Sequence, residues 1–333
     1  MPRPASLLAV LTPDEQAKFL PAPALAEVRA LAPEFRLLDP TGLTPADFAR
    51  ELAAADPEVV LACWRTPSLP EKLPPRLRYV CYLTGGVRKL VTRGQLERGL
   101  LLTNWGSSIS RTVAECALFH TLACLRLAPR WTLMIHRDGG WRDGWEQNHS
   151  LFGRRVGIHG FGQVARAFLQ LIHPFGCAVS IAAPDVTDAV AAQLGVRAVT
   201  LDALFADNDV IVELAPLNPV TRGIVTERHF RLIRPGGVFV NVGRAGVTNE
   251  AALLRVAREG KILVGLDVFV DEPLPVDSGF RGLPNVSITP HIAGPTLDRY
   301  VDATAHALRN LRAYTAGQPL EAVITPAMYD AMT

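Results

Sequence analysis

Short apolar runs alternate with stripes of helical spacing along most of the chain. In the first third, Leu7–Leu11, Val59–Cys63 and Arg78–Tyr82 predict strands. Thr12-Pro13 and Thr44-Pro45 each pair an N-cap with a first helical residue, the second pair opening a helix over Phe48–Ala55. Arg111–Leu125 predicts a long apolar helix, with Glu115 inside it; core packing is its default reading, and helices of this kind also cross between domains. Beyond it, strands are expected at Val156–Ile158, Ala178–Ala182, Val196–Val199, Val210–Leu214, Val238–Val242, Ile262–Phe269 and Val286–Thr289. Between them, Val164, Phe168, Leu171 and Ile172 mark one helix that Pro174 ends. Thr226 caps a second, broken at Pro235-Gly-Gly, and Thr248 or Asn249 caps a third over Glu250–Glu259. Strands alternating with helices imply parallel sheets covered on both faces.

A chain of 333 residues exceeds what one core usually supports, so two domains are expected. A net charge of +2, with no basic or acidic block, gives nucleic-acid binding no electrostatic support. The apolar runs all fall short of the roughly 18 residues a membrane span needs. Met1-Pro-Arg-Pro4 lacks a signal-peptide pattern, because Pro13, Asp14 and Glu15 interrupt the first apolar run. Cysteines 63, 81, 116, 124 and 177 form no C-x-x-C pair and read as reduced thiols of a cytoplasmic protein.

The stretch Arg155-Val-Gly-Ile-His-Gly-Phe-Gly-Gln-Val-Ala165 reads as strand, glycine turn and helix start. Gly160, Gly162 and Ala165 give G-x-G-x-x-A. The first glycine permits a sharp turn, the second lets a pyrophosphate approach the backbone, and the third position must be small for helix to pack on strand. The helix start presents free N–H groups and its positive dipole end to phosphate. By itself this motif fits any glycine turn in an α/β protein; the surrounding strand–helix alternation supplies the setting a dinucleotide fold requires.

Polar residues then stand at strand ends. Arg244, Glu272 and His291 each follow the carboxyl end of an expected parallel strand, where ligands of open α/β sheets bind. A cation, a carboxylate and an imidazole suffice to reduce a carbonyl. Each alone reads first as an ordinary residue, Arg244 in a surface turn, Glu272 solvated and His291 a satisfied polar group; three at successive strand ends, after a nucleotide motif, do not. Gly85-Gly86, after the Arg78–Tyr82 strand, fits either a tight turn or a pair of bare N–H groups for an anion. Arg88 and Lys89 follow it. The loop Asp138-Gly-Gly-Trp-Arg-Asp-Gly-Trp145 carries two tryptophans suited to an interface or to covering the core.

At these residues the sequence resembles the D-isomer-specific 2-hydroxyacid dehydrogenase family. The matching segments are Gly157-x-x-Gly-x-Gly162, Asn241-Val-Gly-Arg-Ala-Gly246, Gly265-Leu-Asp-Val-Phe-x-x-Glu-Pro273 and Thr289-Pro-His-Ile-Ala-Gly294. Arg111-Thr-Val-Ala-Glu115 and Leu214-Ala-Pro-Leu217 also fit. The resemblance spans the central domain and covers the first domain only loosely.

The resemblance implies an α/β fold of two doubly wound parallel-sheet domains. A central Rossmann domain over 109–299 would bind NAD. A discontinuous flavodoxin-like substrate domain would comprise 1–108 and 300–333, with the active site between the two. His291 would be the acid/base, Glu272 its partner, and Arg244 the holder of the substrate carboxylate. A nearby carboxylate favours a charged imidazole. Gly85 and Gly86 would offer N–H groups to the same carboxylate. The implied cofactor contacts are Gly160, Phe161, Gly162, Gln163, Val164, Ala183, Asp185, Ala215, Pro216, Val242, Gly243, Asp267, His291 and Gly294, with no metal. A homodimer through the central domain, in part through the 111–125 helix, is implied too, with a small 2-keto or 2-hydroxy acid as the partner ligand and neither nucleic acid nor membrane.

Two departures stand out. The family usually carries an aspartate where Arg88 aligns, which leaves the substrate open. Its ribose-reading acid falls at Ala183, with Asp185 two residues on as the candidate substitute. No lysine or arginine lies between Gly176 and Val196, so NAD is expected over NADP. Two other functions compete on this fold: an NAD-sensing corepressor without catalysis, and a dehydrogenase of formate or phosphite. The intact Arg244, Glu272 and His291 argue against the first. Glu272 argues against the formate branch, which uses glutamine there.

Overall fold

Twelve strands, all paired in parallel, form two sheets in a computed structural model that describes residues 6–142 and 147–331. Met1–Pro4, and Asp143, Gly144 and Trp145 of the tryptophan loop, lie outside the described residues. Two compact units result. One holds the residues up to Ile109 and those from Pro295 onward; the other runs from Ser110 to Gly294.

The first unit contains β1 (Ser6–Val10), β2 (Glu34–Leu38), β3 (Val59–Ala62), β4 (Tyr79–Tyr82) and β5 (Leu101–Thr103), in the order β2-β1-β3-β4-β5. This is the flavodoxin-like order. Every residue of β1, β3 and β4 is buried, as befits strands covered on both faces. The two Thr-Pro signals mark helix starts at Pro13 and Pro45. Each threonine accepts the N–H of the third helical residue, Glu15 or Asp47, whose carboxylate accepts the threonine N–H in return. The returning tail supplies the helices Tyr300–Thr315 and Pro326–Ala331.

The second unit contains β6 (Arg155–His159), β7 (Ala178–Ala182), β8 (Arg197–Ala198), β9 (Val210–Glu213), β10 (Val238–Asn241), β11 (Leu263–Leu266) and β12 (Val286–Ile288). Their order is β12-β11-β10-β9-β6-β7-β8. The chain runs outward from β6 to β8 and then crosses back to β9, so strand order reverses between β6 and β9, the point at which such sheets bind dinucleotides. One face packs on the Ser110–Leu125 and Gln163–Ile172 helices through Val156, Ile158, Ala165, Phe168 and Ile172. The other packs on Leu204, Phe205, Phe230 and Phe239. Gly157 serves this second face: a Cβ there would lie 2.9 Å from the Leu204 side chain.

Several boundaries differ from the sequence reading. The Ile262–Phe269 run is a strand only over Leu263–Leu266, because the loop to Glu272 begins at Asp267. The Val196–Val199 strand shortens to Arg197–Ala198. Asn249, not Thr248, caps the Glu250–Arg258 helix by accepting the Ala252 N–H. The edge strand β2 and the short β5 were not anticipated.

Candidate active site

Three consecutive strand ends of the second unit carry Arg244, Glu272 and His291. After β10, the buried Asn241 side chain fixes the turn. Its Oδ1 accepts the Gly243 N–H at 3.0 Å and its Nδ2 donates to the Arg244 carbonyl at 3.2 Å. Arg244 donates to the Gly243 carbonyl at 2.8 Å. Burial lowers its pKa, and the Glu272 charge opposes that shift.

After β11, Glu272 Oε1 accepts the Phe269 N–H at 3.0 Å, which orients the carboxylate. Its Oε2 lies 2.6 Å from His291 Nδ1. A carboxylate only accepts, so His291 carries its proton on Nδ1 in this pair and turns Nε2 away from Glu272. The imidazole is about half exposed, with 49% of its side-chain surface accessible. It is thus oriented on one side and open on the other, as an acid/base requires.

The backbone at His291 is left-handed, with φ 55°. Asp267 stands behind this turn, fully buried. Its Oδ1 accepts the Thr289 hydroxyl at 2.6 Å and the Ile292 N–H at 2.8 Å, and its Oδ2 accepts the Ala293 N–H at 2.8 Å.

The glycine motif ends β6 at the reversal of strand order. Gly160 has φ 83°, and a Cβ there would sit 2.6 Å from the Ala215 Cα in the loop after β9. Gly162 is the N-cap of the Gln163–Ile172 helix, is exposed, and would place a Cβ in open space. This is a bare helix N-terminus that a side chain would fill, and it fits a dinucleotide pyrophosphate. Phe161 is buried under the Arg166 guanidinium, 4.2 Å from its ring centroid. Gln163 is exposed and Val164 half-buried at the same helix start, while Ala215 and Val242 are buried and Gly243 and Gly294 half-buried at neighbouring strand ends. Pro216, Pro184 and Asp185 are exposed, and Ala183 is half-buried at the end of β7.

In the first unit, Gly85 lies under Trp105: a Cβ would come within 2.7 Å of the indole Nε1. Gly86 is exposed. Arg88 has a structural employment. It donates to the carbonyls of Tyr329 and Asp330 at 3.1 and 3.0 Å and stacks over the Tyr329 ring, so it holds the end of the last helix. Lys89 is exposed.

Two buried groups escaped the sequence reading. His159 Nδ1 meets Glu213 Oε2 at 2.5 Å across β6 and β9, and Glu213 Oε1 accepts the Ala215 N–H. Burial pushes the His159 imidazole down, but the charge and hydrogen bond of Glu213 together outweigh it and leave the pKa raised. A charged residue inside Val210-Ile-Val-Glu213 was the available signal, since buried carboxylates need partners. The second group is His120, which touches Ser287 and Thr289 from the Ser110–Leu125 helix.

A family model described as "D-isomer specific 2-hydroxyacid dehydrogenase, NAD binding domain" matches residues 118–293. D-3-phosphoglycerate dehydrogenase of Mycobacterium tuberculosis strain H37Rv is 32% identical over 245 residues, which are 73% of this chain and 46% of that protein. The chain thus spans about half the length of that relative. Glyoxylate/hydroxypyruvate reductase B of Pectobacterium atrosepticum is 31% identical over 260 residues, covering 76% of this chain and 80% of the relative. Among solved structures, a glyoxylate reductase from Paecilomyes thermophila superposes with a TM-score of 0.81 at 22% identity, over 96% of this chain and 98% of that one. That likeness bears on the fold alone. Motifs, strand order and relatives converge, and the chain belongs to the D-isomer-specific 2-hydroxyacid dehydrogenase family.

Proposed function

We propose that this chain is an NAD-dependent D-2-hydroxyacid dehydrogenase that works as a 2-keto acid reductase. The observation that carries the reading is the His291–Glu272 pair at 2.6 Å, one strand end from the half-buried Arg244 cation. NADH, when bound, supplies the hydride that reduces the carbonyl carbon. The chain's residues do the rest. Arg244 holds the substrate carboxylate and draws charge toward the carbonyl oxygen, which gains an electron pair as the C=O bond becomes a single bond. His291 Nε2–H gives that oxygen its proton, and Glu272 keeps the ring in the productive orientation. Gly160, Gly162 and the Gln163 helix start hold the pyrophosphate. Gly85 and Gly86 add N–H groups for the carboxylate, within a substrate domain of residues 1–108 and 300–333. The protein acts in the cytoplasm as a homodimer through the central domain.

Turnover of glyoxylate, hydroxypyruvate, pyruvate and bulkier 2-keto acids tests the reaction. His291→Ala is expected to lose about 10²- to 10⁴-fold in kcat while still binding NADH. Near-wild-type turnover by that variant would refute the assignment. NADH is expected to outperform NADPH, because the exposed Asp185 repels a 2′-phosphate and the Gly176–Val196 stretch offers no cation. An equal or higher kcat/KM with NADPH would overturn that preference.

A further inference from the structure

We propose that His120 is a positioning residue for the catalytic turn, acting through Thr289 and Asp267 as a hydrogen-bond chain of fixed polarity. This rests on the function proposed above and extends it to a residue 171 positions before His291 in sequence.

The polarity follows from donor and acceptor chemistry. Thr289 lies 2.6 Å from Asp267 Oδ1, and a carboxylate accepts, so the single Thr289 hydroxyl proton points to Asp267. His120 Nε2 lies 2.8 Å from the same hydroxyl oxygen, which has only lone pairs left to offer. His120 therefore carries its proton on Nε2. Its Nδ1, 3.0 Å from Ser287 Oγ, then accepts the serine proton. The chain runs Ser287 to His120 to Thr289 to Asp267, and Asp267 ends it by also accepting the Ile292 and Ala293 N–H groups. Those two residues follow His291 directly, whose left-handed backbone needs external support.

The surroundings suit this role. His120 has no exposed surface, and burial lowers its pKa to about 4 despite the Asp267 charge, so it stays neutral with one donor and one acceptor. Gly265 of β11 makes room for it: a Cβ there would meet the His120 Cβ at 2.7 Å. Cys116, one helical turn before His120, completes a Cys–His–Asp grouping whose ligand atoms lie within 4.8 Å of one another. A metal ion is a poor occupant. Both imidazole nitrogens and both Asp267 oxygens already have hydrogen-bond partners, and burial raises the Cys116 thiol to about 12.

The test combines imidazole NMR, amide hydrogen exchange and kinetics on the full chain. In the wild type, His120 is expected as the Nε2–H tautomer from about pH 5.5 to about pH 8. An Nδ1–H tautomer, or titration in that range, would overturn the proposal. His120→Leu keeps the volume and removes the donor. It should speed exchange of the Ile292 and Ala293 amides while leaving those of β6 and β7 unchanged, and lower kcat by about tenfold, a fraction of what a 1 Å misplacement costs. NADH affinity should hold. His120→Gln, which can donate and accept, should restore most of both properties; a merely space-filling role would favour Leu over Gln instead. If His120→Leu unfolds, Thr289→Val cuts the same link at nearly constant volume and should loosen the same two amides. Unchanged exchange at Ile292 and Ala293 in a folded variant sinks the idea. If the wild type reduces no 2-keto acid, the function reading fails, while tautomer and exchange still decide the positioning role.

Discussion

Gly160 and Gly162 belong to one motif, yet alanine at the two sites is expected to do opposite things. At Gly160 the backbone is left-handed at φ 83°, which costs an alanine about 1–2 kcal/mol. Its Cβ would also sit 2.6 Å from Ala215 Cα, 2.8 Å from Ala215 N and 3.0 Å from the Leu214 carbonyl carbon. All three are backbone atoms, so the loop after β9 must shift, with an overpacking cost of about 1–3 kcal/mol. Gly160→Ala should therefore lose roughly 2–5 kcal/mol, lowering Tm by roughly 5–15 °C for a unit of this size. Gly162 has φ −80° and ψ −166°, which any residue adopts, and a Cβ there meets nothing within 4 Å. Stability of Gly162→Ala should stay within about 1 kcal/mol of wild type. Its methyl would occupy the space through which a pyrophosphate reaches the helix N–H groups. Losing one charge-assisted hydrogen bond costs about 1.5–3 kcal/mol, so NADH and ADP-ribose should bind roughly 10- to 100-fold more weakly. Thermal melts and calorimetric titration with ADP-ribose separate the two effects without any turnover. Wild-type ADP-ribose affinity in Gly162→Ala, or a wild-type melt for Gly160→Ala, would show the reasoning to be wrong.

Further consequences concern pH and Arg88. His120 is depressed from 6.5 to about 4 in the fold, so it contributes stability that is full above pH 6.5 and is lost as pH falls toward about 4. The gap amounts to about 3 kcal/mol, and His120→Gln should flatten the stability curve in that window; identical slopes for the two proteins would count against it. Arg88→Ala should quicken amide exchange in the Pro326–Ala331 helix, whose end it holds, yet leave the KM for the best 2-keto acid unchanged. A large rise in KM would return Arg88 to the substrate.

The legible parts of the fold were those where burial is complete. Val59-Val-Leu-Ala62, Val210-Ile-Val-Glu213 and Val238-Phe-Val-Asn241 are apolar because both faces of the sheet are covered, and apolar runs announce themselves. Glu34–Leu38 did not, because an edge strand with exposed Glu34, Arg36 and Leu37 carries too little apolar patterning. In the candidate site, Arg244, Glu272 and His291 were readable as polar residues at strand ends, which is where the structure places them. His120 was not. A histidine amid Ala117, Thr121 and Cys124 looks like a core position, and its partners Ser287 and Thr289 lie about 170 residues away, brought near only by β12.

The strand ends also show why the loop after β11 starts earlier than its apolar run predicts. Val268 and Phe269 are as buried as strand residues, so hydrophobicity gives no reason to stop at Leu266. The reason lies in Asp267. A carboxylate without exposed surface must be saturated with donors, and a sheet supplies none to a side chain. The chain meets that demand by bringing Thr289, Ile292 and Ala293 onto it, which bends the segment after β12 back across the end of β11. That bend gives His291 its left-handed backbone, at a cost of about 1–2 kcal/mol for a residue with a Cβ. Three hydrogen bonds to a buried charge, each worth about 1.5–3 kcal/mol, more than offset it. The buried aspartate is thus what makes the strained turn affordable, and the strained turn is what lets the imidazole sit 2.6 Å from Glu272.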